Sequence, residues 1–287
     1  MIDTPIRLIR ADNPSPLTGA GTNTWILGQG EVVVVDPGPD LDGHLAAILS
    51  ATAGERISHI LLTHAHLDHS ALVPRLRAAT GAQVLAFGPA DSGRSPVMQR
   101  LAAEGLTSGE GAEPDFAPDR CLQDGEVVTL PGLDLQALHL PGHMGCHMGF
   151  ALGDVLLSGD HVMAWSTTLV SPPDGDMGDY MASLARLAAR PWSRFLPGHG
   201  PQVEAPAQRL AELVAHRKGR EAAILAALRQ SGPASPAELA ARIYTDTPPH
   251  LLPAAARNVL AHLVDLSARA LARPGPGPLA LATFAAT

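Results

Sequence analysis

The sequence predicts an α/β fold, two sheets covered by helices, with a small helical module at the C-terminal end. Three observations carry that expectation. Short apolar strand patterns alternate with helical stretches and with hairpins. Several strands run directly into polar segments flanked by glycine. Near residue 205 the pattern changes to long amphipathic helices.

Residues 6–10, 23–28 and 31–36 read as strands, with Gly28-Gln29-Gly30 as the turn between the last two. The unbroken run from Val32 to Val35 is the pattern of a strand buried on both faces. Pro37-Gly38-Pro39 stops it, and residues 40–52 follow as a helix. Residues 57–62 make another buried strand, then comes the polar segment Thr63 to His69 and a helix over 70–80. Residues 88–120, rich in Gly, Pro, Ser and Asp, read mostly as a long loop near the site. Hairpins are expected over 124–139 and 150–158, a helix over 177–190 and a short strand at 194–196. Beyond Pro206 the spacing predicts helices over 207–230, 235–243 and 253–272, with room at the end for short strands only. The expected division is a larger domain at 1–205 and a winged-helix-like domain at 206–287.

Composition sets outer limits. The 287 residues are enough for a large domain and a small one. Hydrophobic content of 46% and charged content of 17% fit an ordinary globular protein. Residues 1–10 carry no apolar stretch of signal-peptide type, and no apolar run reaches membrane length. Cys121 and Cys146 are the only cysteines, too few for a disulfide framework. These observations lead us to expect a cytoplasmic protein with no membrane partner. The net charge of −8 is uneven: residues 206–287 hold nine Lys/Arg against five Asp/Glu, a net of +4, which leaves −12 for residues 1–205.

The strongest signal is Thr63-His64-Ala65-His66-Leu67-Asp68-His69, three imidazoles and a carboxylate placed just after a buried strand. Imidazole nitrogen and carboxylate oxygen are first-choice ligands for zinc and its neighbours. Histidines at i and i+2 in extended backbone point to one side, so His64 and His66 can grip one ion. Asp68 and His69, around the turn, can reach a second. Three later segments supply further donors: Pro141-Gly142-His143, Ser158-Gly159-Asp160 and Pro197-Gly198-His199. Each follows an apolar strand and sets its donor beside a glycine, where backbone can approach an ion closely.

In this order, with VVVVDPG upstream, these segments resemble the metallo-β-lactamase superfamily over about residues 20–205. The resemblance implies an αββα sandwich with metals at the sheet edges. It implies one metal on His64, His66 and His143, and another on Asp68, His69 and His199, with Asp160 bridging and Asp36 bracing the ligand loop. HMGCHMGF, STTLV, DYMASL and HRKGREAAIL are further similar to the β-lactamase-like protein 2 type, which ends in a winged helix and includes a single-strand endoribonuclease. Met144 and Cys146 depart from the Thr and Asp frequent after PGH in relatives.

The resulting expectation is a hydrolase with two divalent ions and a metal-bridging hydroxide. Zinc is the first choice, with manganese(II) or iron(II) as alternatives, and Asp68 orients the nucleophile or shuttles its proton. Phosphodiester cleavage of single-stranded nucleic acid is the first reading of the substrate. A thioester or ester hydrolase on a small acyl substrate, of the glyoxalase-II kind, is the second. A third, from another class, is a nucleic-acid-binding regulator that reads bases through Arg257, Asn258 and His262. A homodimer is a further expectation.

Overall fold

The computed structural model describes residues 4–108, 111–130 and 132–287. The expected loop at 88–120 includes residues 109 and 110, and the hairpin at 124–139 includes residue 131. Those positions lie outside the described residues. The first sheet takes β1 (Ile6–Arg10), β2 (Asn23–Gln29) and β3 (Glu31–Val35), then α1 (Asp42–Ala51) and β4 (Arg56–Leu61). The short α2 (Leu67–Ser70) and α3 (Val73–Thr80) lead to β5 (Gln83–Ala86), α4 (Pro96–Ala103) and the edge strand β6 (Arg120–Cys121). The second sheet takes β7 (Val127–Leu130), β8 (Leu133–His139), β9 (Met148–Leu152) and β10 (Val155–Gly159). After α5 (Met177–Ala188) it adds β11 (Arg194–Pro197). The strand orders are β1-β2-β3-β4-β5-β6 and β11-β10-β9-β8-β7.

The two sheets face each other. Alternate residues of β2 and β3, among them Trp25, Leu27, Val33 and Val35, meet Leu135, Phe150 and Leu157 of the second sheet in one buried core. The other faces of β2, β3 and β4 carry Ile26, Val34 and Ile60, which pack under Ile48 of α1 and Leu72 and Leu76 beside and on α3. The outer face of the second sheet is covered by α5 through Tyr180, Leu184 and Leu187. Four layers follow, helix, sheet, sheet, helix, because the strands from β2 to β4 bury residues on both faces.

The C-terminal segment comprises α6 (Pro206–Ser231), α7 (Pro236–Ile243), α8 (Leu252–Ala268) and the small hairpin of β12 (Ala272–Pro274) and β13 (Phe284–Ala286). α6 is shared by two cores. Leu210 and Leu213 join the layer that covers the second sheet, whereas Ile224, Leu225 and Leu228 join α7, α8 and Phe284. Among the described residues no helix is long and apolar enough to cross a membrane.

Two elements differ from the sequence expectation. The stretch at 88–120 is mostly loop but also holds a helix: Ser95 caps α4 through the Met98 N–H, and α4 buries Met98 and Leu101 in the core of the C-terminal segment. Its eight residues are too short to show periodicity, yet Ser95-Pro96 is a helix-start signal. The last long helix stops at Ala268, not 272, and the chain turns through Ala270 at φ 56°.

His262 on α8 is buried, and burial, then the nearby Arg217 and His216, push its pKa down to about 3. The folded chain therefore holds it neutral, while the unfolded chain protonates it below about 6.5. Its contribution to stability is complete above pH ~6.5 and is lost as pH falls from there towards 3. The midpoint of thermal unfolding of the wild type should fall more steeply across that window than that of His262→Gln. Parallel slopes would remove His262 from the acid response.

Candidate metal centre

β4 carries the chain to Leu61, and His66 is extended ahead of α2, with the rings of His64 and His66 brought side by side. α2 then turns Asp68 and His69 around them. His143 arrives after β8, Asp160 directly after β10, and His199 two residues after β11. Sequence positions 64 to 199 thus meet at one end of the facing sheets.

Two groups form, linked by one carboxylate. His64 Nε2 lies 2.9 Å from His66 Nδ1, which lies 3.1 Å from His143 Nε2. His199 Nε2 lies 3.2 Å from His69 Nε2 and 3.1 Å from Asp68 Oδ2. Asp160 sits between them, with Oδ1 3.4 Å from His69 Nε2 and Oδ2 3.2 Å from His199 Nε2 and 3.9 Å from His143 Nε2. Among the described residues, the side chains that could share an ion are His64 with His66 and His143, His64 with His69 and Asp160, and Asp68 with His69 and His199. All seven side chains singled out in the sequence are therefore brought together.

The electrostatics divide the same way. Burial, then the surrounding imidazoles, push His64 well below its ordinary value and His66 to about 3, and burial also lowers His143. All three present lone pairs. In the other group burial works against the charged histidines, but the carboxylates win: Asp68 and Asp160 hold His69 well above its ordinary value, and Asp160 holds His199 at about 9. Burial would raise Asp68, yet His69 and His199 keep it at about 2. The buried Asp160 Oδ1 has no hydrogen-bond partner among the described residues. Converging lone pairs and an orphaned carboxylate oxygen are costly without a cation, so the donor set fits divalent metal.

Neighbouring residues fix the donors. Asp36, at φ 51°, accepts from the Thr63 N–H and hydroxyl, each at 2.7 Å, and its Oδ2 lies 3.0 Å from His69 Nδ1. His143 Nδ1 lies 2.8 Å from the Leu169 carbonyl and 2.9 Å from Thr168 Oγ1. His147 Nε2 accepts the Asp160 N–H at 3.2 Å. Partners of this kind set ring orientation and tautomer. Asp36 is marked in the sequence by its place after VVVV, whereas Thr63, Thr168 and His147 carry no such mark. The two threonines lie inside the motifs THAHLDH and STTLV, although spacing gives no side-chain direction.

His139 and His161, which adjoin donor segments, do not join the group. His139 stacks on Phe87 and contacts the Gly145 carbonyl, while His161 is buried against Tyr180. Met144 and Cys146 point into the core beneath the helices, where burial pushes the Cys146 thiol up to about 12. They have no part in the cleft.

Glycine is required where the donors crowd. A Cβ on Gly198 would collide with Asp160 Oδ1 and come 2.6 Å from the His69 ring. Gly198→Ala should therefore weaken zinc uptake by at least about tenfold, the lower end of what displaced supporting groups cost. Competition with a chromophoric chelator measures this, and an unchanged titration would contradict the packing.

The donors floor a cleft of about 90 Å³, walled by Leu17, Met163 and residues 166–169. Facing sheets with clustered His and Asp at one end define a metal-dependent hydrolase. The chain belongs to the metallo-beta-lactamase superfamily, whose model matches residues 17–199, and a beta-lactamase associated winged helix domain matches residues 235–274. It is 30% identical over 273 residues to a beta-lactamase-like protein 2 homolog of Drosophila melanogaster, covering 88% of this chain and 85% of that protein. It is 31% identical over 225 residues to an atrochrysone carboxyl ACP thioesterase of Aspergillus fumigatus, covering 76% and 62% respectively. A metallo-beta-lactamase family protein from Thermus thermophilus superposes with a TM-score of 0.76 at 27% identity, covering 98% of both chains.

Proposed function

We propose that the chain is a binuclear metallo-hydrolase, catalytic in residues 1–205, that cleaves an ester or thioester of a small acyl substrate. The observation that carries the binuclear reading is the double donor group joined through Asp160. We assign His64, His66 and His143 to one ion, Asp68, His69 and His199 to the other, and Asp160 to both. Zinc suits five imidazoles and two carboxylates with no thiolate. When bound, the two ions would acidify water and polarise the scissile group. Asp68, the more open of the two carboxylates, is placed to orient the attacking water and take up its proton. Leu17 and Met163 narrow the cleft above it.

The small cleft and the net charge of −12 on residues 1–205 favour a compact acyl substrate over a polyanion. The thioesterase name of one relative supports the same choice. Phosphodiester cleavage of single-stranded nucleic acid therefore ranks second. The regulator reading loses support because its base readers are turned inward. Arg257 donates to the Thr107 and Pro172 carbonyls, Asn258 bonds Arg217 and Tyr244, and His262 is buried.

Metal-reconstituted protein should hold about two ions per chain and turn over thioesters or esters in a panel that also contains bis-p-nitrophenyl phosphate, lactones and nitrocefin. A reproducible ratio of one ion or fewer would sink the binuclear assignment. Turnover of the phosphodiester alone would replace the acyl reading.

A further inference from the structure

Leu17, Thr167, Thr168 and Leu169 wall the metal cleft on one side and a second hollow of about 290 Å³ on the other. The far side of that hollow belongs to the C-terminal segment: His216, Arg217 and Arg220 of α6, Tyr244, and Asn258 of α8. We infer that this hollow is an oxyanion subsite, taking a carboxylate or phosphate carried by the substrate at a distance from the scissile bond. The inference rests on the hydrolase reading and names a feature of its substrate.

The charge of the hollow is the first argument. Among the described residues no aspartate or glutamate lines it, although the chain as a whole carries −8. Elsewhere guanidinium groups meet carboxylates: Arg75 meets Asp40, Arg94 meets Asp174 and Arg269 meets Glu221. Arg217, only 2% exposed, instead donates to the Thr168 carbonyl and, at 3.1 Å, to Asn258 Oδ1. Its buried Nε has no partner among the described residues. Its guanidinium carbon also lies 5.0 Å from the centroid of the Tyr180 ring, but no carboxylate among the described residues pairs with this buried charge, an arrangement that an incoming anion would improve.

Shape is the second argument. Residues 216, 217 and 220 share one face of α6. Arg220 lies over the Tyr244 ring with its carbon 4.3 Å from the centroid, which fixes the plane of its fork. Leu17, Leu251 and Ala254 line the same space and give the polar side chains an apolar border. Burial, then Arg217 and Arg220, push His216 below its ordinary range, so the positive field already reaches its neighbours.

Non-hydrolysable thioether analogues test this in the full-length chain. Three share one scissile-group mimic, and their chains end in carboxylate, phosphate or methyl. Calorimetry should find an anion-ended analogue binding at least about tenfold more tightly than the methyl-ended one, as a single hydrogen bond to a charged group supplies. The preferred ending decides between carboxylate and phosphate. Arg220→Gln should lower the ratio while Arg217 holds the remainder, and Arg220→Lys should keep more of it. A wild-type ratio near one, or a ratio that Arg220→Gln leaves intact, overturns the subsite. A single-stranded oligonucleotide that displaces the analogues more strongly than the anion-ended compounds do would give the hollow to a polynucleotide and overturn it as well. If the analogues discriminate while no thioester is turned over, the subsite stands and the acyl-hydrolase reading falls.

Discussion

Asp160→Ala should lose at least about a hundredfold in kcat/KM and retain only one tightly held ion. Residues that merely support a metal ligand already cost 10–100-fold when removed, and Asp160 has a more direct place. Its two oxygens reach His69, His199 and His143, so among the described residues it is the carboxylate in contact with both donor groups. Alanine would leave His69 and His199 with Asp68 as the nearby carboxylate in the group. Elemental analysis and kinetics on the same preparation separate loss of metal from loss of fold. His250→Ala, in an exposed turn far along the chain, serves as the control and should keep both ions and wild-type turnover. Wild-type metal content and turnover in Asp160→Ala would show the ligand assignment to be wrong.

The donors were legible because each one is announced locally. The run from Thr63 to His69 concentrates imidazoles after an apolar strand, and Gly142, Gly159 and Gly198 precede the remaining three. Those glycines are there for a physical reason that the structure makes explicit. A side chain on Gly159 would meet His147 Nε2 and Thr63 Oγ1, each 2.7 Å away, as one on Gly198 would meet Asp160. The supporting contacts were not legible, because they depend on tertiary direction. Nothing in STTLV tells that Thr168 holds His143 while offering its carbonyl to Arg217, 49 residues further on. The same limit hid α4, which buries Met98 and Leu101 in the apolar core of the C-terminal segment. A sequence window containing only PVMQRLAA holds half of that interaction.

A chain ending at residue 206 should fail to remain soluble and monomeric at moderate temperature, and whatever remains folded should load metal poorly. α5 packs against both α6 and α8, so truncation strips the cover from Tyr180 and Leu184, and it also uncovers Met98 and Leu101 of α4. Exposing a fully buried large apolar side chain costs about 1.5–3 kcal/mol, so four of them amount to roughly 6–12 kcal/mol. That is comparable with the whole stability of an ordinary domain, about 5–15 kcal/mol. The uncovered patch would also favour aggregation. The cleft is affected for a separate reason. Arg209 donates to the Met163 and Ser166 carbonyls, and Arg217 to that of Thr168, so α6 holds the segment that lines the cleft and contacts His143 Nδ1. Light scattering and thermal unfolding of the truncated and full-length chains, followed by zinc titration of any soluble fraction, test both parts. A truncated chain that stayed monomeric, melted with the wild type and bound two ions would make residues 207–287 an appendage, and the arginine contacts to the cleft segment would then have no consequence.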